Sequence, residues 1–183
     1  MIIYGEKIKL TGLELEDQTF LNDLMNDPLI EHMTAGECFP VSKYSQNSWF
    51  QKHGNSSDPC RLAIRDKESG VIAGMIYIDN IDGKNRRCQT GIKLAENFRG
   101  KGYATDAVIS LCNFLFNEMN MHRIESVIVE YNLPSQALYK KCGFVLEGVL
   151  RKAVYKSGAY RNQLMFALLK EDFFAKFPEK ICK

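Results

Sequence analysis

The chain has 183 residues, enough for one domain with a real core and short for two, so a single domain over 1–183 is expected. With 45% hydrophobic and 25% charged residues and a formal net charge of +2, it has the make-up of a soluble globular protein and no field that would draw nucleic acid. The six cysteines form no C-x-x-C pair, which argues against a zinc site, other metal chemistry or a disulfide framework; no leader-like amino terminus or run of eighteen apolar residues occurs, so no membrane partner is expected and cytoplasm is the expected compartment.

In chain order, 7–10 alternates as a short strand, and Phe20, Leu21, Leu24 and Met25 share one helical face. Asp27-Pro28 ends or reshapes that helix, and 30–41 has no firm period, which suits a loop or broken helix near a ligand. Ser42 caps a further helix through Lys52 that carries Trp49, expected in the core. An antiparallel meander follows: 61–65 and 71–78 across the turn 66–70, then 87–94 after the turn 82–85. Apolar residues at 103, 104, 107, 108, 111, 112, 115 and 116 form a helical stripe, and 123–129 reads as a strand. A strand, a long helix and a strand imply a right-handed crossover to a parallel neighbour. Asn132 caps a short helix that closes at Gly143; 144–147 returns as a strand, 153–156 and 163–169 make a hairpin, and a tail helix runs over 170–177. The fold class is therefore α/β, with a mixed, largely antiparallel sheet, a central parallel pair and flanking helices.

The stretch from Gly91 to Thr105 organises this pattern. It is a strand, a turn bearing Gly100 and Gly102, and a helix start, so several backbone N–H groups meet the positive end of a helix dipole. Such a cradle suits a phosphate or diphosphate. The P-loop pattern is absent, since Gly100-Lys101-Gly102 has neither its spacing nor its hydroxyl, and G-x-G-x-x-G fails at Thr105.

The run Arg99-Gly100-Lys101-Gly102-Tyr103-Ala104 resembles the R/Q-x-x-G-x-G/A signature of the GNAT superfamily of acyl-CoA-dependent N-acyltransferases. A second block, Asn132 to Phe144, is similar to that family's N-x-x-S-x-x-x-Y-x-x-x-G-F element, and the order of elements agrees over roughly 7–173. The segments 147–151 and 158–162 resemble the branch that contains ribosomal-protein N-terminal acetyltransferases and spermidine acetyltransferases.

This resemblance implies acetyl-CoA as donor. Its diphosphate would lie over the N–H groups of Arg99, Gly100, Lys101, Gly102, Tyr103, Ala104 and Thr105, and its pantetheine arm would pair with Ile92, Lys93 and Leu94. The thioester oxygen would meet an N–H near Ile92 or Lys93. Asn132 and Ser135 would contact the cofactor, although Asn132 is also explained as a helix cap. Tyr139 would protonate the departing sulfur, sharing a helical face with Asn132 and Ser135. Where the branch often carries a glutamate two residues before the strand glycine, this chain has Gln89, which cannot take a proton; Glu130 or an ordered water is then the expected base.

The acceptor is expected between 27–44 and the hairpin at 155–160, with Glu31, Glu37 and Tyr155 as candidate contacts. It would be a small-molecule amine or a protein N-terminus. A non-catalytic acyl-CoA-binding module is the alternative, favoured weakly by Gln89 and opposed by Tyr139. The final hairpin leaves strands available for a homodimer.

Overall fold

The structure, a computed structural model, describes residues 1–36, 39–53 and 60–180. In chain order the elements are β1 (Ile3–Tyr4), β2 (Ile8–Thr11), α1 (Gln18–Met25), α2 (Pro28–Met33), α3 (Lys43–His53), β3 (Cys60–Asp66), β4 (Ile72–Asp82), β5 (Arg87–Leu94), α4 (Tyr103–Asn117), β6 (Arg123–Val129), α5 (Leu133–Lys141), β7 (Val145–Lys156), β8 (Ala159–Leu169) and α6 (Lys170–Lys176). The strands form one eight-stranded sheet in the order β1-β2-β3-β4-β5-β6-β8-β7, antiparallel except for β5 beside β6. This is the expected mixed sheet with its parallel pair.

The period of two divides the sheet into two faces. Even-numbered residues such as Ile64, Ile76, Ile78, Cys88, Ile124, Ile128 and Phe166 pack with Ala107, Val108, Leu111 and Leu115 of α4 and Phe173 of α6. Met75 and Tyr77, on the opposite face, pack with Leu21 and Leu24 of α1, Ile30 of α2 and Phe50 of α3. Free thiols at Cys88, Cys112 and Cys142 are buried in the first of these cores, and burial pushes all three above the usual thiol range.

Two departures from the expected elements have local causes. Asp27 accepts from the N–H groups of Leu29 and Ile30, and Pro28 stands at the first helical position, so a new helix begins inside the expected loop. The separate strands expected at 144–147 and 153–156 are one long strand, β7, with irregularities between Leu146 and Gly148 and between Leu150 and Val154. Ser157 and Gly158 both take positive φ at its hairpin turn, as a tight two-residue connection requires.

Candidate active site

The central feature of the site is a break in the sheet. The parallel ladder pairs Arg87, Cys88 and Gln89 with Arg123, Ile124 and Glu125, then stops, while β5 continues to Leu94 and β6 to Val129. Beyond Gln89 the two strands diverge and leave backbone groups of β5 facing a gap. Tyr139 of α5 reaches this gap, and its hydroxyl donates to the Thr90 carbonyl at 3.2 Å. Because the N–H and C=O of one strand residue point to the same side, Thr90, Ile92 and Leu94 present their amides to the gap, whereas Gly91 and Lys93 turn theirs to β4. Strand parity thus narrows the expected oxyanion donor from Ile92 or Lys93 to Ile92.

Downstream of the gap, Gly100 and Gly102 have φ of +73° and +88°, the left-handed region that glycine enters without strain. A Cβ at Gly100 would meet nothing within 4 Å, so open space lies above the turn. Gly102 is the N-cap of α4 and offers no capping side chain; the first intrahelical bond runs from Asp106 N–H to the Gly102 carbonyl at 3.1 Å. The N–H groups of Tyr103, Ala104 and Thr105 precede that ladder and are free to receive an anion. The Asp106 carboxylate holds the N–H groups of Glu6, Lys7 and Ile8 at 3.0, 2.7 and 3.1 Å, which fixes the amino-terminal segment beside the cradle. Lys7 Nζ donates to the Lys101 carbonyl at 3.1 Å and adds a cation there. These residues fit a diphosphate: open space, left-handed glycines, helix N–H groups and an ammonium converge on one turn.

The side chains of this stretch have structural duties of their own. Arg99 donates through Nε to the Leu94 carbonyl at 3.0 Å and pairs with Asp27 at 3.2 Å, so its guanidinium joins the cradle to the start of α2. Tyr103 turns its hydroxyl to Asp66, and that hydrogen bond, with those from Ser69, holds the Asp66 carboxyl down at about 2. Lys101 is exposed. Asn132 caps α5 by accepting from Ser135 N–H at 3.1 Å and donates to the Met33 carbonyl at 2.8 Å; with Tyr131 donating to the His32 carbonyl at 2.7 Å, it ties α2 to the far side of the gap.

A cleft of about 1090 Å³ opens on the face covered by α1, α2 and α3, and its walls include Gly91, Ile92, Lys93, Asn132, Ser135 and Tyr139. Trp49, expected in the core, is partly buried against the second apolar cluster and also lines this cleft. Opposite Gly91 lies Tyr77, with the Arg61 guanidinium 4.7 Å above its ring. Burial, then the Asp79 charge, raises the Tyr77 phenol above its ordinary range. Asp79, registered against Gln89, pairs with Arg61 at 2.7 Å. An irregularity in β4 between Asp79 and Asp82 lies beside Gln89, whose side-chain oxygen accepts from Asn80 at 3.0 Å.

Several expected contacts are not brought to the cleft. Glu130 accepts from the Asn162 amide at 2.8 Å and is absent from the cleft walls. Glu31 is paired with Lys156, which also donates to the Glu31 carbonyl at 2.9 Å, and is absent from the cleft walls. Tyr155 is exposed, edge-on to Tyr160 at 5.1 Å, and is not a cleft residue. Glu37 lies outside the described residues. In the other direction, Lys7, Arg61 and Asp79 were missed in the sequence. Lys7 is 94 residues from its partner, Arg61 reads there as an ordinary strand charge, and Asp79 lies just past the strand expected at 71–78.

Among the described residues no group of three or more metal-type side chains occurs, and no helix is long and apolar enough to cross a membrane. The acetyltransferase (GNAT) domain family matches residues 7–145. The uncharacterized N-acetyltransferase p20 of Bacillus licheniformis is 31% identical over 175 residues, which cover 93% of this chain and 97% of that protein. The spermidine N(1)-acetyltransferase of Escherichia coli K12 is 25% identical over 173 residues, covering 94% and 91%. Among solved structures, the spermidine N-acetyltransferase of Vibrio cholerae in complex with CoA and spermine superposes with a TM-score of 0.85 at 24% identity, over 92% of this chain and 98% of that one. With a family match over most of its length and the mixed sheet of that fold, the chain belongs to the GNAT family of acetyl-CoA-dependent acetyltransferases.

Proposed function

We propose that the chain transfers an acetyl group from acetyl-CoA directly to an amine held in the cleft, with both substrates bound together. The observation that carries this reading is the gap between β5 and β6, where the ladder stops beside a buried phenol and β5 runs on toward the glycine cradle. The cradle residues Arg99 to Thr105, with Lys7, hold the diphosphate, and Ile92 and Leu94 pair with the pantetheine arm. Ile92 N–H faces the carbonyl oxygen as charge develops on it. Tyr139 donates the proton that the departing thiolate needs. Asn132 and Ser135 hold the far wall of the gap.

An alkyl ammonium, pKa about 10, must lose a proton before it can attack. We assign that proton to water beside Asp79, the one carboxylate among the described residues lining the cleft, in place of Glu130. The acceptor class is a small-molecule amine or a protein N-terminus; spermidine is the substrate named for two of the relatives.

Thiol release from acetyl-CoA, followed from pH 6 to 10 with a panel of amines, tests the reading. Release that requires an amine is expected, and Asp79→Asn is expected to slow it about 10-fold or more near pH 7, with the deficit shrinking as pH approaches the amine's own pKa. Tight acetyl-CoA binding with no release for any amine would make the chain a binding module. A deficit in Asp79→Asn that is the same at every pH would remove its proton role.

A further inference from the structure

We propose that the acceptor amine also carries a carboxylate and that Lys93 seats it; this rests on the amine-transfer reading above. The observations are the charges that face the cleft. Arg61, Tyr77 and Gly91 form one row across β3, β4 and β5, Asp79 and Gln89 the next row toward one end, and Met75 and Lys93 the row toward the other. Among the described residues lining the cleft, the charged side chains are Arg61, Asp79 and Lys93. Arg61 and Asp79 neutralise each other at 2.7 Å. Lys93 is left with the thioether of Met25, 3.2 Å from its Nζ, as hydrogen-bond partner, and a thioether is a weak acceptor without charge.

Among the described residues the other charges acting on Lys93 are of the wrong sign. Burial first, then Arg61 and Lys156, hold its ammonium below the usual lysine range. Lys156 has its own counter-charge in Glu31 and none to spare. Among the described residues the cleft therefore holds a surplus cation one residue from Ile92, the amide that faces the transfer position. A carboxylate a few carbons from the attacking nitrogen would give Lys93 the counter-charge that no described residue supplies, because a desolvated charge is stabilised chiefly by a matched opposite charge. A polyamine would bring further ammonium groups toward Lys93 and Arg61. Glu31, which would have offset this, is withdrawn by Lys156.

A matched set of acceptors isolates the charge: 5-aminopentanoate, pentylamine and 1,5-diaminopentane present a carboxylate, a methyl group and an ammonium on similar chains. In thiol-release assays the wild type is expected to show kcat/KM for 5-aminopentanoate about 10-fold or more above that for 1,5-diaminopentane. Lys93→Met, which keeps the apolar stem, is expected to cost 5-aminopentanoate at least about 10-fold more than it costs pentylamine, chiefly through KM. Lys93→Glu is expected to reverse the preference toward 1,5-diaminopentane. Equal losses in kcat for all three acceptors in Lys93→Met would make Lys93 a proton carrier and overturn the carboxylate seat. Turnover of 1,5-diaminopentane alone would also overturn it while leaving the transfer reading intact. Release with none of the three, nor with the wider amine panel, while acetyl-CoA still binds would overturn both.

Discussion

Replacing Tyr139 by Phe is expected to lower kcat about 100-fold or more while leaving the KM for acetyl-CoA within about threefold. The ring is fully buried, edge-on to Phe144 at 4.9 Å, and Phe preserves that packing. The change removes the hydroxyl alone. Its loss leaves the Thr90 carbonyl without the donor now 3.2 Å away, a stability cost of about 1 kcal/mol, too small to unfold the chain. Burial raises this phenol above its ordinary value near 10, so the hydroxyl stays protonated through the whole assay range. The wild-type kcat should therefore show no fall at high pH that belongs to Tyr139. Steady-state kinetics from pH 6 to 10 read both effects; a variant that keeps kcat within twofold would exclude Tyr139 as the acid.

The largest stability effect is expected at a glycine outside the turn motif. A Cβ on Gly74 would stand 2.2 Å from the Lys93 carbonyl oxygen and 2.9 Å from Leu94 Cα, both backbone atoms of β5. Backbone cannot swing aside, so Gly74→Ala must push β5 away from β4 where β5 borders the gap. A destabilisation of about 3 kcal/mol is expected, a fall in Tm of roughly 6–12 °C for a chain of this length. Gly91 makes a useful contrast. A Cβ there would stand 2.0 Å from the Tyr77 hydroxyl oxygen, but that obstacle is the end of a side chain. Gly91→Ala should accordingly destabilise less and act mainly on turnover, by displacing the Tyr77 ring from the cleft. Thermal unfolding of the two variants side by side checks the order; an equal or smaller loss in Gly74→Ala would show that β4 and β5 can part without strain.

The donor side of the site was legible in the sequence because its chemistry is local. Gly100 and Gly102 supply the left-handed turn within three residues of each other, and Asn132 with Pro134 starts a helix by capping rules that need no distant partner. The crossover from β5 through α4 to β6 followed from periodicity, since a long apolar helical stripe between two strands has one common solution. The acceptor side depended on contacts across the fold. Glu31 reads as an exposed acid in an irregular loop, and only folding brings Lys156, 125 residues away, onto it. Glu130 adjoins the second motif, yet Asn162 of β8 takes its carboxylate. Asp79 and Lys93 face the cleft because of strand register, and register is set by pairing of whole strands, not by neighbours in sequence. These residues were thus legible as charges, while their partners across the fold were not.

Likeness in fold carries little about the substrate, because the charges on the cleft wall are independent of the sheet that presents them. The fold is what this chain shares with its solved neighbours, and the gap and the cradle proposed for the acyl donor depend on it. Lys93, Arg61 and Asp79 lie on the facing wall, where a single substitution changes the sign of the cleft without disturbing the ladder between β4 and β5. Spermidine acetylation by relatives at about a quarter identity is therefore compatible with a different acceptor here.

In the proposed complex the donor lies in the gap beyond Gln89 and on the turn at Gly100–Ala104. Amide hydrogen exchange, resolved by residue and compared with and without acetyl-CoA, tests it most directly. Slowed exchange is expected at Ile92, Leu94 and 100–105, with little change at the outer strands β1 and β2. Exchange at Ile92 and 100–105 that is unaltered by saturating acetyl-CoA, with protection appearing elsewhere, would place the donor outside the gap and the glycine turn.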